Sequence, residues 1–452
     1  MRENRQVNLV EGPILKSLTG LALPIMASSF LGTVYNITDM AWIGLLGAKA
    51  VAGVGVGGMY IWLSQGLASL ARMGGQVHVA QCLGRGEKEK ARTYAGTAVQ
   101  LAFLLGAAFS FVSLLFTDEM IGCFRLQDAQ TFMAAKSYMR ITCGLILFSF
   151  LNLTLTGLYT AQGDSKTPFW ANFLGLLVNM ILDPLLILGP GNFPEMGVAG
   201  AAIATVTAQA IVMLVMVFGA FRSTNGNVLK NMRLLSLPSA SYLKEICRIG
   251  GPTAVQGMVY CMISMVLTRM VSDFGAEAIA TQRVGGQIES VSWNTADGFA
   301  AALNAFVAQN YGAGKRERIQ KGYRLSFWTV AVWGSLIMLA FILFPGSIAG
   351  VFFHEKKAIE IAVDYLIIVG LSEAFMCVEL MTIGALSGLG KTRLCSMISI
   401  AFTAARIPLA LVLSRSALRL NGIWWALTLT SVAKGLIFYL VFRREMAADS
   451  SE

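Results

Sequence analysis

Twelve apolar segments recur along the whole chain, near residues 14–42, 50–76, 92–116, 132–161, 167–189, 197–221, 243–272, 277–308, 323–345, 360–387, 393–414 and 421–442. Each is long enough to cross a bilayer as a helix. In lipid every backbone N–H and C=O must be satisfied internally, so segments of this length dictate helices rather than open strands. Little hydrophilic sequence is left once they are set aside. The composition agrees, with 452 residues, 56% of them hydrophobic and 13% charged, and a mean hydropathy of +0.64. The expected fold class is all-α integral membrane, with twelve transmembrane helices. Residues 1–12 are polar and the run after them lacks a small-residue cleavage pattern, so no signal peptide is expected. The seven cysteines stand apart without CxxC pairs, mostly in apolar segments, and predict no disulfide framework.

The net charge of +10 would suggest nucleic acid in a soluble protein, but its distribution has a topological reading, and no nucleic-acid partner is expected. Basic residues gather in alternate connections: Arg85, Lys88, Lys90 and Arg92; Lys166; Arg222, Lys230, Arg233 and Lys244; Lys315, Arg316, Arg318, Lys321 and Arg324; Lys391 and Arg393; Arg443 and Arg444. The opposite set holds Lys49, Arg125, Lys356, Lys357, Arg415 and Arg419. By the positive-inside rule the richer loops and both termini face the cytoplasm.

An internal repeat organises the segments. Val79–Gly86 (VAQCLGRG) returns as Val307–Gly314 (VAQNYGAG), and the same offset pairs Pro24 with Pro252. Gly163–Thr167 matches Gly388–Thr392, and Pro184 aligns with Pro408 within one residue. Two halves of six spans each follow. The expected division is an N-terminal six-helix lobe (1–221), a cytoplasmic linker (222–241) and a C-terminal six-helix lobe (242–452). An even number of spans gives both lobes one orientation, which predicts a pseudo-twofold axis along the membrane normal.

Ionisable residues deep in a span are expensive, about 2.5–3.5 kcal/mol each on insertion scales, and therefore functional candidates. Asp39 shares a helical face with Tyr35 and Asn36. Asp183 follows Asn179 by one turn and precedes Pro184, whose missing N–H frees a carbonyl in the preceding turn. Two carboxylates with two amides can either ligate Na⁺ or share a proton, and mutual repulsion would let protonation compete with cation binding. Asn152 and Thr205 are further oxygen donors. Equivalent positions in the second half fall near Leu267 and Ile407, so the acids belong to one half. The second half has its own polar set: Gln256, Gln282, Arg283, Gln287, Glu289, Asn294, Asp297, Glu373 and Glu379. Within it Arg283 is a candidate counter-charge, and Glu289 and Glu373 are the leading site candidates.

Other patterns carry less. Gly384–Thr392 (GALSGLGKT) has five residues before Gly-Lys-Thr where a phosphate loop needs four. Its twin at Gly163–Thr167 marks it as a helix-end turn. Gly53 and Gly57 have the spacing of close helix packing. His78 and His354 are too far apart for a metal centre or a triad.

Jointly, Leu21-Ala22-Leu23-Pro24, the Val79–Gly86 and Val307–Gly314 segments, Ala161–Pro168 (AQGDSKTP) and Asp183-Pro184 resemble the multidrug and toxic compound extrusion (MATE) transporters, over nearly the whole chain. The resemblance implies V-shaped lobes and export of organic cations and drugs, in antiport with H⁺ or Na⁺, by alternating access. It maps the cation site of the DNA-damage-inducible and archaeal-like branch onto Asp39, Asn179, Asp183 and Thr205. Another branch has an acid on the seventh helix, where the nearest candidate is Gln256, and Thr160 stands where the family often has Arg. The expectations are a monomeric multi-pass protein of the inner membrane, with small-molecule substrates, no cofactor beyond the coupling ion and no enzymatic activity. Two alternatives are a lipid-linked glycan flippase of the same superfamily, which needs a strongly basic cavity, and a membrane-embedded enzyme, which needs an interfacial metal or carboxylate cluster.

Overall fold

The computed structural model describes residues 6–124, 126, 128–190, 194–222, 227–232, 239–353 and 355–448. Arg125, Arg233, His354 and half of the expected linker (223–226 and 233–238) lie outside them. The described residues are overwhelmingly helical: α1 Ile14–Gly44, α2 Ala48–Gly84, α3 Lys88–Leu115, α4 Thr117–Gly122, α5 Ala129–Gly144, α6 Leu147–Ala161, α7 Lys166–Leu188 and α8 Val198–Arg222 form the first series. The second is α9 Ala240–Ser272, α10 Ala276–Gly312, α11 Arg316–Leu343, α12 Pro345–Phe352, α13 Lys356–Gly370, α14 Glu373–Gly388, α15 Thr392–Ser414 and α16 Arg419–Ala448.

Nine of the described helices are long and apolar enough to span a bilayer by themselves, and α5–α6 and α13–α14 pass as pairs. The twelfth span is α10, whose 37 residues carry too much polarity for a hydropathy test. The fold is thus twelve transmembrane helices in two six-span series. Two expected spans, 132–161 and 360–387, prove to be broken, each bent by 48°. Gly144 and Gly370 end the first helix of each pair. Glycine is a poor helix former, so two breaks at glycine repeat one local cause.

The repeat is exact in length for several elements. Helices α2 and α10 both have 37 residues, α3 and α11 both 28, α7 and α15 both 23. The duplicated sequence motif becomes a duplicated turn. Glu87 N–H donates to the Cys82 carbonyl and Lys315 N–H to that of Asn310, both at 2.9 Å. Gly86 and Gly314 take φ of 80° and 70° between these partners, a left-handed conformation open to glycine at no steric cost. The phosphate-loop-like stretch is likewise a turn, and Lys391 pairs with Glu445 at 3.0 Å.

Two compact units result: Met1–Asn8 with Leu23–Gly257, and Leu9–Ala22 with Met258–Glu452. Between the series, Val228–Asn231 forms a single 3₁₀ turn. It docks on the first unit through Val228 N–H, which donates to the Gln162 side-chain carbonyl at 2.9 Å.

Candidate ion-coupling site

In the first unit, helix packing is set by small residues, as expected where lipid offers no hydrophobic drive. A Cβ on Gly53 would lie 2.8 Å from Ala134 Cβ, and one on Gly57 2.9 Å from the Tyr138 ring. Close approach of α2 to α5 thereby presses Tyr138 inward. It joins a core with Ile43, Ala50, Val54, Ile187, Ala201 and Ala202. This apolar plug lies beside the polar candidates.

Asp183 and Asn179 are wholly buried on α7, Asp39 on α1 is 7% exposed and Thr205 on α8 is 6% exposed. Asn179 Nδ2 donates to Asp183 Oδ1 at 3.1 Å, the one-turn spacing seen in the sequence. Tyr35 and Tyr138 are close enough to Asp39 and Asp183 to interact with both charges, and the two aspartates interact with one another. Asp39 Oδ1, Asn179 Oδ1, Asp183 Oδ2, Thr205 Oγ1 and Tyr35 Oη are buried without a hydrogen-bond partner. Buried polar atoms are satisfied in the great majority of cases, so several orphaned oxygens around two carboxylates point to a bound cation or proton. Pro184 sits inside α7, next to Asp183, and withholds the N–H that the Met180 carbonyl would otherwise accept.

Of the supporting residues, Asn36 is exposed. Asn152 is tied to the backbone, its Nδ2 donating to the Gln209 carbonyl at 2.8 Å. Gln256 is half-buried on α9.

The second-half acids form a separate network. A Cβ on Gly285 would fall 2.1 Å from the Tyr365 ring, and the Tyr365 hydroxyl donates to Glu289. Glu373 is 1% exposed, and both its carboxylate oxygens lack partners. Gln282 accepts from Trp424 Nε1 at 3.4 Å. Arg283, read as a candidate counter-charge, is exposed. Among the described residues the buried cations are Arg406 and Lys434, neither of which is among the sequence candidates. Arg406 donates to Thr430 and Ser431 at 2.9 and 3.0 Å and lies in electrostatic reach of Glu289. Lys434 pairs with Glu379 at 2.7 Å, both side chains under one-tenth exposed. The rule that singles out acids in the membrane applies equally to bases and would have found both.

The MatE family model matches residues 24–185 and again 252–412, once for each half of the repeat. The chain belongs to the MatE family. This MatE protein is 30% identical over 439 residues to the probable multidrug resistance protein NorM of Thermotoga maritima, covering 95% of this chain and 92% of the relative. It is 23% identical to a FAD transporter of Shewanella oneidensis over 96% of both chains. Among solved structures, a MOP superfamily transporter from Pyrococcus furiosus superposes with a TM-score of 0.90 at 22% identity, covering 99% of each chain. At that identity the likeness speaks for the fold. As a MatE protein the chain is a multi-pass membrane protein.

Proposed function

We propose that this protein is a secondary active exporter of organic cations and other amphipathic compounds, driven by H⁺ or Na⁺ antiport through alternating access. Asp39, Asn179, Asp183 and Thr205 form its coupling site, with Tyr35 beside them. The observation that carries this reading is the set of unpartnered oxygens on α1, α7 and α8 around two interacting carboxylates. A coupling ion acts by binding one conformation better than another, and the substrate by the reverse preference. Two adjacent carboxylates repel when ionised, so a proton or Na⁺ that joins them stabilises the conformation in which α1, α7 and α8 converge. Hydration of the acids favours the other. The multidrug resistance name of the Thermotoga maritima relative supports the cargo class. On this reading the protein is a monomer in the inner membrane with both termini cytoplasmic, needs no cofactor besides the coupling ion, performs no enzymatic reaction and binds no nucleic acid.

The flippase alternative calls for convergent unpaired cations to hold phosphate. Lys434 is paired with Glu379, and Arg406 is held by two hydroxyls near Glu289, which weighs against it. The test is export of ethidium from proteoliposomes under separately imposed Na⁺ and proton gradients, wild type against Asp39→Asn. Transport driven by one gradient and lost in the variant supports the site and names the ion. Gradient-driven export that survives the substitution overturns it.

A further inference from the structure

Two helices change unit along their length: α1 between Ala22 and Leu23, and α9 between Gly257 and Met258. The stretch just ahead of α1 and the first half of α9 are fastened by different chemistry. For Leu9–Ala22 the fastening is to backbone. Arg318 donates to the carbonyls of Gly12 at 2.8 Å, Glu11 at 3.1 Å and Leu9 at 3.3 Å. Lys315 reaches the Val10 carbonyl at 3.1 Å and Asn310 that of Leu9 at 3.0 Å, while Leu9 is 1% exposed. Arginine keeps its charge and a backbone carbonyl does not titrate, so this strap has no protonation step that would open it.

The first half of α9 rests on a seat of glycines. A Cβ on Gly74 would stand 2.4 Å from the Ile246 carbonyl oxygen, one on Gly250 1.9 Å from that of Leu70, and one on Gly257 3.2 Å from Gly66 Cα. Backbones meet there at close range, with the Ile246 side chain buried in the contact. Over the seat lies a side-chain clasp in which the Tyr94 hydroxyl of α3 donates to the Glu245 carboxylate of α9. His78 of α2 stacks on Tyr94 at 4.6 Å and 6°, and Tyr242 meets it edge-on at 4.7 Å. His78 Nε2 is buried without a partner, so the clasp is an incompletely satisfied polar cluster.

We propose that the Tyr94–Glu245 clasp is a releasable latch: it holds the first half of α9 on α2 and α3 in one state of the transport cycle and opens in the other, while the Arg318 strap stays closed. This rests on the two-state reading proposed above. Helix α9 continues past Pro252 as Met258–Ser272 in the second unit. A hydrogen bond to a charged group is strong enough to hold a state, and a single one is weak enough to be exchanged for water.

The test is hydrogen–deuterium exchange on the full-length protein in nanodiscs. Glu245→Gln and Tyr94→Phe each should speed exchange across 240–257 by about tenfold or more, the factor for losing a hydrogen bond to a charged group, with 9–22 unchanged. In the wild type, protection of 240–257 should differ between saturating Na⁺ at pH 8 and saturating ethidium. Unaltered protection in both variants, equal loss over 9–22, or identical wild-type protection in the two conditions overturns the latch. Tyr94→Phe removes one hydroxyl and guards against misfolding of the charge variant. If exchange responds as expected but no gradient drives export, the antiport reading falls and the latch stands; if export is normal and exchange is unmoved, the latch alone falls.

Discussion

Tyr138 packs on Gly57 in the first half and Tyr365 on Gly285 in the second, one repeat offset apart, yet the surroundings of the two rings differ in kind. Beside Tyr138 lie Asp39, Asp183 and Thr205. The register set by Pro24 and Pro252, Pro184 and Pro408, and Gly200 and Gly422 carries these onto Leu267, Ile407 and Leu427. All three of those pack in one apolar cluster with Ile263, Val271, Ala278, Ala410, Ile423 and Ala426. The scaffold therefore folds with either filling, and the oxygens of the first half are not a requirement of the architecture. Beside Tyr365 the second half draws acids from other helices, Glu289 from α10 and Glu373 from α14, with Arg406 in electrostatic reach of Glu289. Among the described residues, Asp39 and Asp183 share their half with no buried base, whereas the second half buries Arg406 and Lys434 along with its acids.

That contrast can be broken experimentally. The largest effect is expected from Asp183→Asn: gradient-driven ethidium export should fall about a hundredfold, the upper range of coupling between sites, with membrane yield preserved. Next, Leu267→Asp with Ile407→Asp should fail to create a second site and instead lower folded yield, since each buried charge costs about 2.5–3.5 kcal/mol. Coupled export with raised ion stoichiometry would overturn the idea that a shared scaffold does not suffice. In the second half, Glu379→Gln strands the Lys434 ammonium and should cost about 3–5 kcal/mol, whereas Glu379→Leu with Lys434→Met should recover most of it. Thermal unfolding in detergent compares the three proteins. Glu373→Gln should change export only a few-fold, about the lower end of site coupling; a loss as deep as that of Asp183→Asn would make the two halves equal partners.

The smallest effect lies outside the membrane. Lys49 at 2.9 Å, helped by the Thr131 N–H and hydroxyl, holds the Asp128 carboxyl down at about 2. A depressed carboxyl contributes stability above its unfolded value near 4 and loses it as pH falls through about 2. Asp128→Ala should therefore leave export unchanged between pH 6 and 8 and narrow the stability difference from wild type only in strong acid, as followed by helical circular dichroism.

Much of this was readable beforehand, for definable reasons. Spans are legible because lipid permits few backbone solutions, and the repeat because its turns need glycine at fixed places. The Asn179–Asp183 pair showed through one-turn spacing beside a proline. The bends in α5–α6 and α13–α14 were not foreseen, since a glycine ending a helix and one inside it look alike in an apolar run. Asn36 was placed on the face of Asp39 by spacing, but a helical face is broad, and Asn36 lies at its exposed margin. Lys434 and Arg406 lie in the interiors of α16 and α15, where the rule that marks buried acids marks bases as well.

Helix α10 has a consequence for how the protein is made. Its 37 residues include Gln282, Arg283, Gln287, Glu289, Asn294 and Asp297, too polar for a lone helix to enter lipid readily. Some of its polar contacts come from segments synthesised later: Tyr365 for Glu289, Cys377 for Ser292 at 3.3 Å and the Gly384 carbonyl for Asn304 at 3.1 Å. Those contacts are complete only once α13 and α14 have emerged. Truncation just before residue 356 should yield a product whose α10 is left on the wrong side of the membrane or degraded.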